Sequence, residues 1–340
     1  MQHFPRLQPL SATVVAVTCV LWLHLAQAAS DAPPPGAPPP AGPGPGGPPP
    51  SASGPGGPPP GNLVDTLKKA FAPIERIDKV TDQLYLIPGG GGNTAVWIWS
   101  RGVLLVDPKI PTSGPKIAEL VRSVTDKPIT HVVDTHSHPD HAGANGEFGP
   151  GVEIVAQENT ASALRKKGGA IDLTPATREY KDHLQLFRGK DQVDLYFFGR
   201  GHTEGDTVVV FPYARVMHAG DLFSRKELPK VDAANGGSGV QFPDTIARAI
   251  GKVRGVDRVI TGHGDALLTW KDFVDYGRLT RQWLDFERAQ AAGSATAEEI
   301  LVSFKMPAGF EDYGLGRGGY GGPVAVQATL DELRRQPPSH

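Results

Sequence analysis

Cysteine is almost missing. The 340 residues contain one, Cys19, inside an apolar leader segment. The rest of the chain therefore offers no disulfide framework, no thiolate ligand and no cysteine nucleophile. Excess charge is missing too, with 34 basic against 36 acidic residues and a net charge of −2. That balance leaves no electrostatic footprint for nucleic acid. A long apolar run is also lacking. The stretch Leu10 to Leu25 is too short, and too quickly followed by small and polar residues, for a stable membrane span. Arg6 before it and Ala26-Gln27-Ala28 after it have the form of a secretory signal with a cleavage site. Residues 1–28 are read as a signal peptide, and the chain as exported to the periplasm or the medium. An uncleaved anchor is the alternative.

Proline and glycine, in contrast, number 33 and 42. They dominate residues 29–61, as in Pro33-Pro34-Pro35 and Pro58-Pro59-Pro60, where nothing can bury a core. That segment is read as an extended linker. A globular domain is expected over 62–340.

Within the domain, Leu84–Pro88 and Thr94–Trp99 are β-rich runs joined by Gly89 to Gly92, a hairpin pattern. Val103–Asp107, Ile129–Asp134, Glu153–Ala156, Leu195–Phe198, Thr207–Phe211, Arg215–His218 and Val256–Thr261 read as further strands. Helical patterns cover Lys116–Val124, Asn159–Lys167, Thr245–Val253, Trp270–Ala292, Ala297–Ser303 and Val324–Arg335. A glycine-rich interruption, Gly314 to Gly322, precedes the last helix.

The chemistry concentrates in Thr135-His136-Ser137-His138-Pro139-Asp140-His141-Ala142-Gly143. In an extended run, residues two apart point the same way, so His136 and His138 can grip one ion. Pro139 forces a turn, after which Asp140 and His141 can face a second position. Zinc accepts both imidazole nitrogen and carboxylate oxygen. The run reads as half of a two-metal site, the alternative being a polar loop whose histidines cap backbone groups. Three more metal-type side chains follow apolar strands, each beside a glycine: His202 in Gly201-His202-Thr203, Asp221 in Gly220-Asp221-Leu222-Phe223, and His263 in Gly262-His263-Gly264. Alone, each is more often structural; their joint order with the first run carries the information.

That ordered series resembles the metallo-β-lactamase superfamily over about residues 80 to 290. The resemblance implies a mixed α/β (α+β) fold, a four-layer αββα sandwich with the site at one edge between two sheets. It also implies two zinc ions, with iron or manganese as alternatives. One ion would be held by His136, His138 and His202, the other by Asp140, His141 and His263, and Asp221 would bridge both. Asp107 matches the superfamily's early aspartate and would steady the loop that presents the ligands. By the same resemblance, a hydroxide bridging the metals would attack the substrate, and Asp140 would orient it and take up its proton. Five of the 11 histidines fall on these positions. His131, His183 and His218 have no motif and are read as ordinary surface or core residues.

Asp221 stands where typical zinc β-lactamases carry a cysteine or a different histidine set. The set therefore looks more like that of the glyoxalase II and lactonase branch, and implies an ester, lactone, thioester or similar acyl substrate. β-Lactam hydrolysis is the alternative. The transfer-RNA-processing branch is disfavoured, since no basic RNA-gripping extension is visible. The motifs Gly-His-Thr-x-Gly-Asp-Thr-Val-Val and His-Ala-Gly-Asp-Leu-Phe resemble most a poorly characterised set of exported metallo-hydrolases. A reading of another class is an exported metal-binding protein without turnover. Arg225 and Lys226 are candidate contacts for an anionic substrate group, and Gly236 to Gly239 a candidate flexible loop over the site. A small-molecule substrate is the expected partner; the oligomeric state is not legible.

Overall fold

The computed structural model describes residues 60–166, 171–264, 266–316 and 320–335. The signal peptide read over 1–28, the linker up to residue 59, and Lys167 at the end of one expected helix lie outside them. Pro60 and Gly61, expected in the linker, open helix α1 (Pro60–Ala70) instead. A proline fits a helix's first turn, where its missing N–H has no partner to lose. Leu63 and Leu67 of α1 pack on Ile110, with Phe71 alongside. Among the described residues no helix is long and apolar enough to cross a membrane.

Two sheets form the centre. The first holds β1 (Asp78–Lys79), β2 (Leu84–Ile87), β3 (Thr94–Trp99), β4 (Gly102–Val106), β5 (Ile129–Val133), β6 (Glu153–Gln157) and β7 (Arg178–Tyr180), in that order. It is antiparallel up to β4 and parallel from β4 to β7. The second holds β8 (His183–Leu186), β9 (Val193–Phe197), β10 (Thr207–Phe211), β11 (Val216–His218), β12 (Arg258–Ile260) and β13 (Leu267–Thr269), with only β11 and β12 parallel. The short strands β1, β7, β8 and β13 carry no apolar run long enough to announce them.

Strand alternation builds the layers. Val209 and Phe211 of β10, with Val216 and Ile260, face Leu104, Val106 and Trp97 across the sandwich. Val208, Val210, Met217 and Val259 face the other way, onto α5 (Phe242–Lys252) and α6 (Trp270–Gln290). On the opposite flank, Val103, Leu105 and Val132 receive Ile117, Leu120 and Val121 of α2 (Gly114–Arg122). The result is helix, sheet, sheet, helix, as the resemblance implied. The expected β2–β3 hairpin is present, with Ile87 opposite Thr94.

Candidate metal centre

Sheet register delivers the site. In the parallel pair β4 and β5, Val106 lies beside Val133; Asp107 follows the first and the histidine run the second. In the parallel pair β11 and β12, His218 lies beside Ile260. Asp221 and His263 each sit three residues beyond these partners, so parallel pairing carries both to one edge. His202 comes from the loop joining β9 to β10, and β10 is tied to the run where Thr207 N–H donates to Thr135 O at 2.7 Å. The turn expected at Pro139 is a short helix, α3 (Pro139–Ala142), started at His138 O, which accepts from the N–H groups of His141 and Ala142.

All seven predicted side chains meet there, and none is more than 6% exposed. His136 Nε2 lies 3.0 Å from His138 Nδ1, which lies 3.1 Å from His202 Nε2. His141 Nε2 and His263 Nε2 are 3.2 Å apart, with Asp140 Oδ2 at 3.8 and 3.4 Å from them. Asp221 stands between the two groups. Its Oδ2 is 3.7 Å from His202 Nε2, and its Oδ1 is 3.6 and 3.4 Å from the Nε2 atoms of His141 and His263. Three sets could each hold an ion: His136, His138 and His202; His136, His141 and Asp221; Asp140, His141 and His263.

The electrostatics agree with a cation here. Burial and the three neighbouring imidazoles push His136 well below its ordinary value, and burial takes His202 down to about 3. Both rings are therefore neutral, with a lone pair free for a metal. Burial opposes charge on His141 also, but Asp107 and Asp140 overcome it and lift the imidazole to about 9. Burial alone would raise the Asp221 carboxyl; His263 and His141 hold it well below the usual range. Asp221 Oδ1 is buried without a hydrogen-bond partner. A buried carboxylate held only by imidazoles at 3.4 and 3.6 Å needs a positive charge among them to remain ionised. A metal ion is the partner this donor set fits.

Surrounding groups fix the rings, and several escaped the sequence reading. Asp107 accepts from Thr135 N and Oγ1, both at 2.7 Å, and its Oδ2 is 2.8 Å from His141 Nδ1. Asp232 Oδ2 is 2.7 Å from His138 Nε2, and Lys230 O is 3.1 Å from His202 Nδ1. Such partners set which ring nitrogen faces a metal. Asp232 carries no motif, and nothing in its local sequence marks it. Lys109, wholly buried, donates to Ile87 O and Gly92 O at 2.7 Å. It pins the glycine loop against His141, where a Cβ on Gly92 would lie 2.5 Å from the ring. A Cβ on Gly262 would fall 1.9 Å from Asp221 Oδ1, so that glycine keeps the carboxylate's place open. Aromatic walls come from the two ends of the domain: Phe71 stacks on His263 at 6.0 Å and Tyr320 on His138 at 4.6 Å.

His218 is a core residue, as expected, but not an idle one. It accepts from Gly220 N at 3.1 Å, so its Nε2–H donates to Asn93 O at 2.8 Å and steadies the Asp221 turn. Two expectations change. Lys226 is held between Asp312 at 2.7 Å and Asp272 at 3.1 Å, so its ammonium is committed away from any substrate. The Gly236–Gly239 loop is pinned, not free. Gly237 N donates to Asp232 O, Ser238 N to Gly201 O and Ser238 Oγ to Glu332.

The family model of the metallo-beta-lactamase superfamily matches residues 88–263, just over half of the chain. The chain belongs to that superfamily and is a metal-dependent hydrolase. It is 28% identical over 220 residues to a metallo-beta-lactamase type 2 of Elizabethkingia meningoseptica, covering 59% of this chain and 81% of that one. It is also 28% identical over 153 residues to the 2,4-dinitroanisole O-demethylase subunit alpha of a Nocardioides species, covering 44% and 46%. Among solved structures, the sec-alkylsulfatase Pisa1 of a Pseudomonas species superposes with a TM-score of 0.62 at 16% identity, over 79% of this chain. The chain spans about half of that sulfatase's length, 51%. The DIM-1 metallo-beta-lactamase gives 0.51 at 20% identity, covering 62% of this chain and 98% of that one. These structures share the fold.

Proposed function

We propose that the chain is a dinuclear zinc hydrolase of acyl substrates, an ester, lactone or thioester. The observation that carries the two-ion reading is Asp221, whose two carboxylate oxygens face different imidazole groups while one of them has no hydrogen-bond partner among the described residues. His136, His138 and His202 would hold one ion, Asp140, His141 and His263 the other, and Asp221 both. When bound, the ions would supply an activated water near neutral pH and polarise the substrate's carbonyl oxygen, making its carbon the electrophile. The side chains do the rest. Asp140, 3.4 Å from His263, would orient the attacking water and accept its proton. Asp107, Asp232 and the Lys230 carbonyl keep His141, His138 and His202 facing inward. Phe71 and Tyr320, stacked on His263 and His138, would favour a substrate with apolar surface beside the scissile group.

The acyl reading rests on the carboxylate at 221 in place of a thiolate. The second reading, β-lactam hydrolysis, is favoured by the 28% identity to the Elizabethkingia enzyme. A hydrolysis panel of lactone, thioester, aryl ester, β-lactam, phosphodiester and secondary alkyl sulfate tests the assignment on the zinc-loaded chain. Acyl turnover that disappears in Asp140→Asn supports it. Turnover confined to β-lactam or sulfate would replace it, and tight zinc without any turnover would favour a storage protein. Export is part of the proposal, tested by N-terminal sequencing of protein recovered outside the cytoplasm; cleavage after Ala28 is expected.

A further inference from the structure

At the end of the sandwich away from the histidines, the β3–β4 turn and the β8–β9 connection part and leave a cavity of about 860 Å³. Cavities that hold small organic ligands run from about 300 to 1,000 Å³. One wall is aromatic. Trp99 and Phe187 stack with ring centroids 4.1 Å apart and planes 13° from parallel, and His131 meets Phe187 edge-on at 5.0 Å. Phe187 takes φ +57°, a conformation bulky side chains rarely adopt. Such strain tends to persist where a site needs the side chain's direction.

Around this aromatic wall stand three guanidinium groups, Arg101, Arg178 and Arg188. Arg178 has Glu153 at 3.5 Å. Arg101 lies over the Trp99 ring at 5.1 Å, and among the described residues neither it nor Arg188 makes an ion pair. Asp191, the one lining carboxylate, is buried, its Oδ2 accepting from Ser100 N at 3.1 Å and its Oδ1 from Gln83 Nε2 at 3.2 Å, and its single charge stands against three guanidinium groups. A positive, flat-walled opening results, with two cations left for a ligand. His131 near the start of β5 and His136 beyond its end are five residues apart, about 16 Å along an extended strand. A ligand here does not touch the metal centre.

We propose that this cavity is a second binding site, for a small aromatic anion: an aryl phosphate, sulfate or carboxylate. Its ring lies against half-buried Phe187, which is backed by buried Trp99, and its acid group is met by Arg101 and Arg188. Guanidinium forks bind such oxyanions by paired, charge-assisted hydrogen bonds.

The test is calorimetric titration of the metal-loaded full chain with 1-naphthyl phosphate, with inorganic phosphate and 1-naphthol as probes of the two halves. The wild type binds naphthyl phosphate at least about tenfold more tightly than either half-probe. The exposed double substitution Arg101→Ala/Arg188→Ala weakens it by at least about tenfold and leaves hydrolysis at the metal centre unchanged. Phe187→Gly, which accepts the backbone but deletes the ring, brings the affinity down to that of inorganic phosphate. Equal binding in wild type and double variant would put the ligand at the metals and overturn the proposal, as would no binding in the wild type. Undiminished binding in Phe187→Gly would overturn the aromatic half. None of these outcomes depends on which substrate the metal centre hydrolyses.

Discussion

The two ends of one sandwich are built from the same strands and differ in what they bury. At the metal end seven ligand-type side chains are almost sealed from water. At the far end the arginines stand in the open around a cavity, over a floor of buried Trp99, Leu186 and Asp191. Sealing carboxylates and imidazoles together is unfavourable unless a positive charge is shared among them. The metal end thus implies its own cation, while the far end is stable empty or filled. A third place supplies the contrast. Glu287 on α6, like Asp221, is buried with an oxygen that has no hydrogen-bond partner. Among the described residues no histidine acts on it, and burial pushes its carboxyl well above the ordinary 4.5. With cationic partners a buried carboxylate stays ionised; without them it takes a proton.

The largest effect should come from the reactive end. Asp140→Asn is expected to lower kcat by about 10²- to 10⁴-fold, the range of a lost proton acceptor, read by steady-state kinetics on the best substrate of the panel. Full activity in that variant would strip the metal end of its proposed proton route. Next in size, Asp232→Asn and Asp107→Asn should weaken metal binding by about 10- to 100-fold, measured by competition with a chromophoric chelator. An unchanged affinity in either would mean that the facing imidazole is held by packing alone.

Glu287 gives a smaller, pH-dependent effect. Its folded value is raised, so between about 4.5 and that value the native state holds a proton that the unfolded chain has lost. Its stabilising contribution is present below 4.5 and is lost as pH rises through the window, by up to about 1.4 kcal/mol per pH unit. Urea unfolding of Glu287→Gln should show a shallower decline with pH than the wild type; parallel curves would mean the carboxyl is ionised in the fold. Least affected should be Lys226→Ala. It loses a partly exposed pair with Asp272 and Asp312, worth about 1 kcal/mol or less, and should leave KM unaltered. A raised KM would return Lys226 to the substrate.

How much was legible follows the same division. The long strands, the helices and the layer order are written in apolar periodicity. Four of the seven metal-end residues crowd into one run after β5 and the other three stand beside glycines after apolar strands, so their chemistry leaves a local signature. Asp232, Lys109 and Phe71 leave none, because each reaches the site from a segment whose own sequence is ordinary; only tertiary packing turns Asp232 toward His138. The arginine cavity is still less readable. Its residues come from four separate segments, and arginine on a surface is the commonest of observations. Lys226 was misjudged for the complementary reason: closeness in sequence to Asp221 says nothing about Asp312, which lies 2.7 Å from its ammonium.

The central claim is that Asp221 joins two ion sites into one. Zinc titration of the full chain, with bound metal counted by elemental analysis, tests it in wild type and Asp221→Ala. The account predicts two zinc ions per wild-type chain, and in the variant one ion held by His136, His138 and His202 with the second lost or far weaker. A wild type that saturates with one ion, or a variant that binds two as tightly as the wild type, would contradict it.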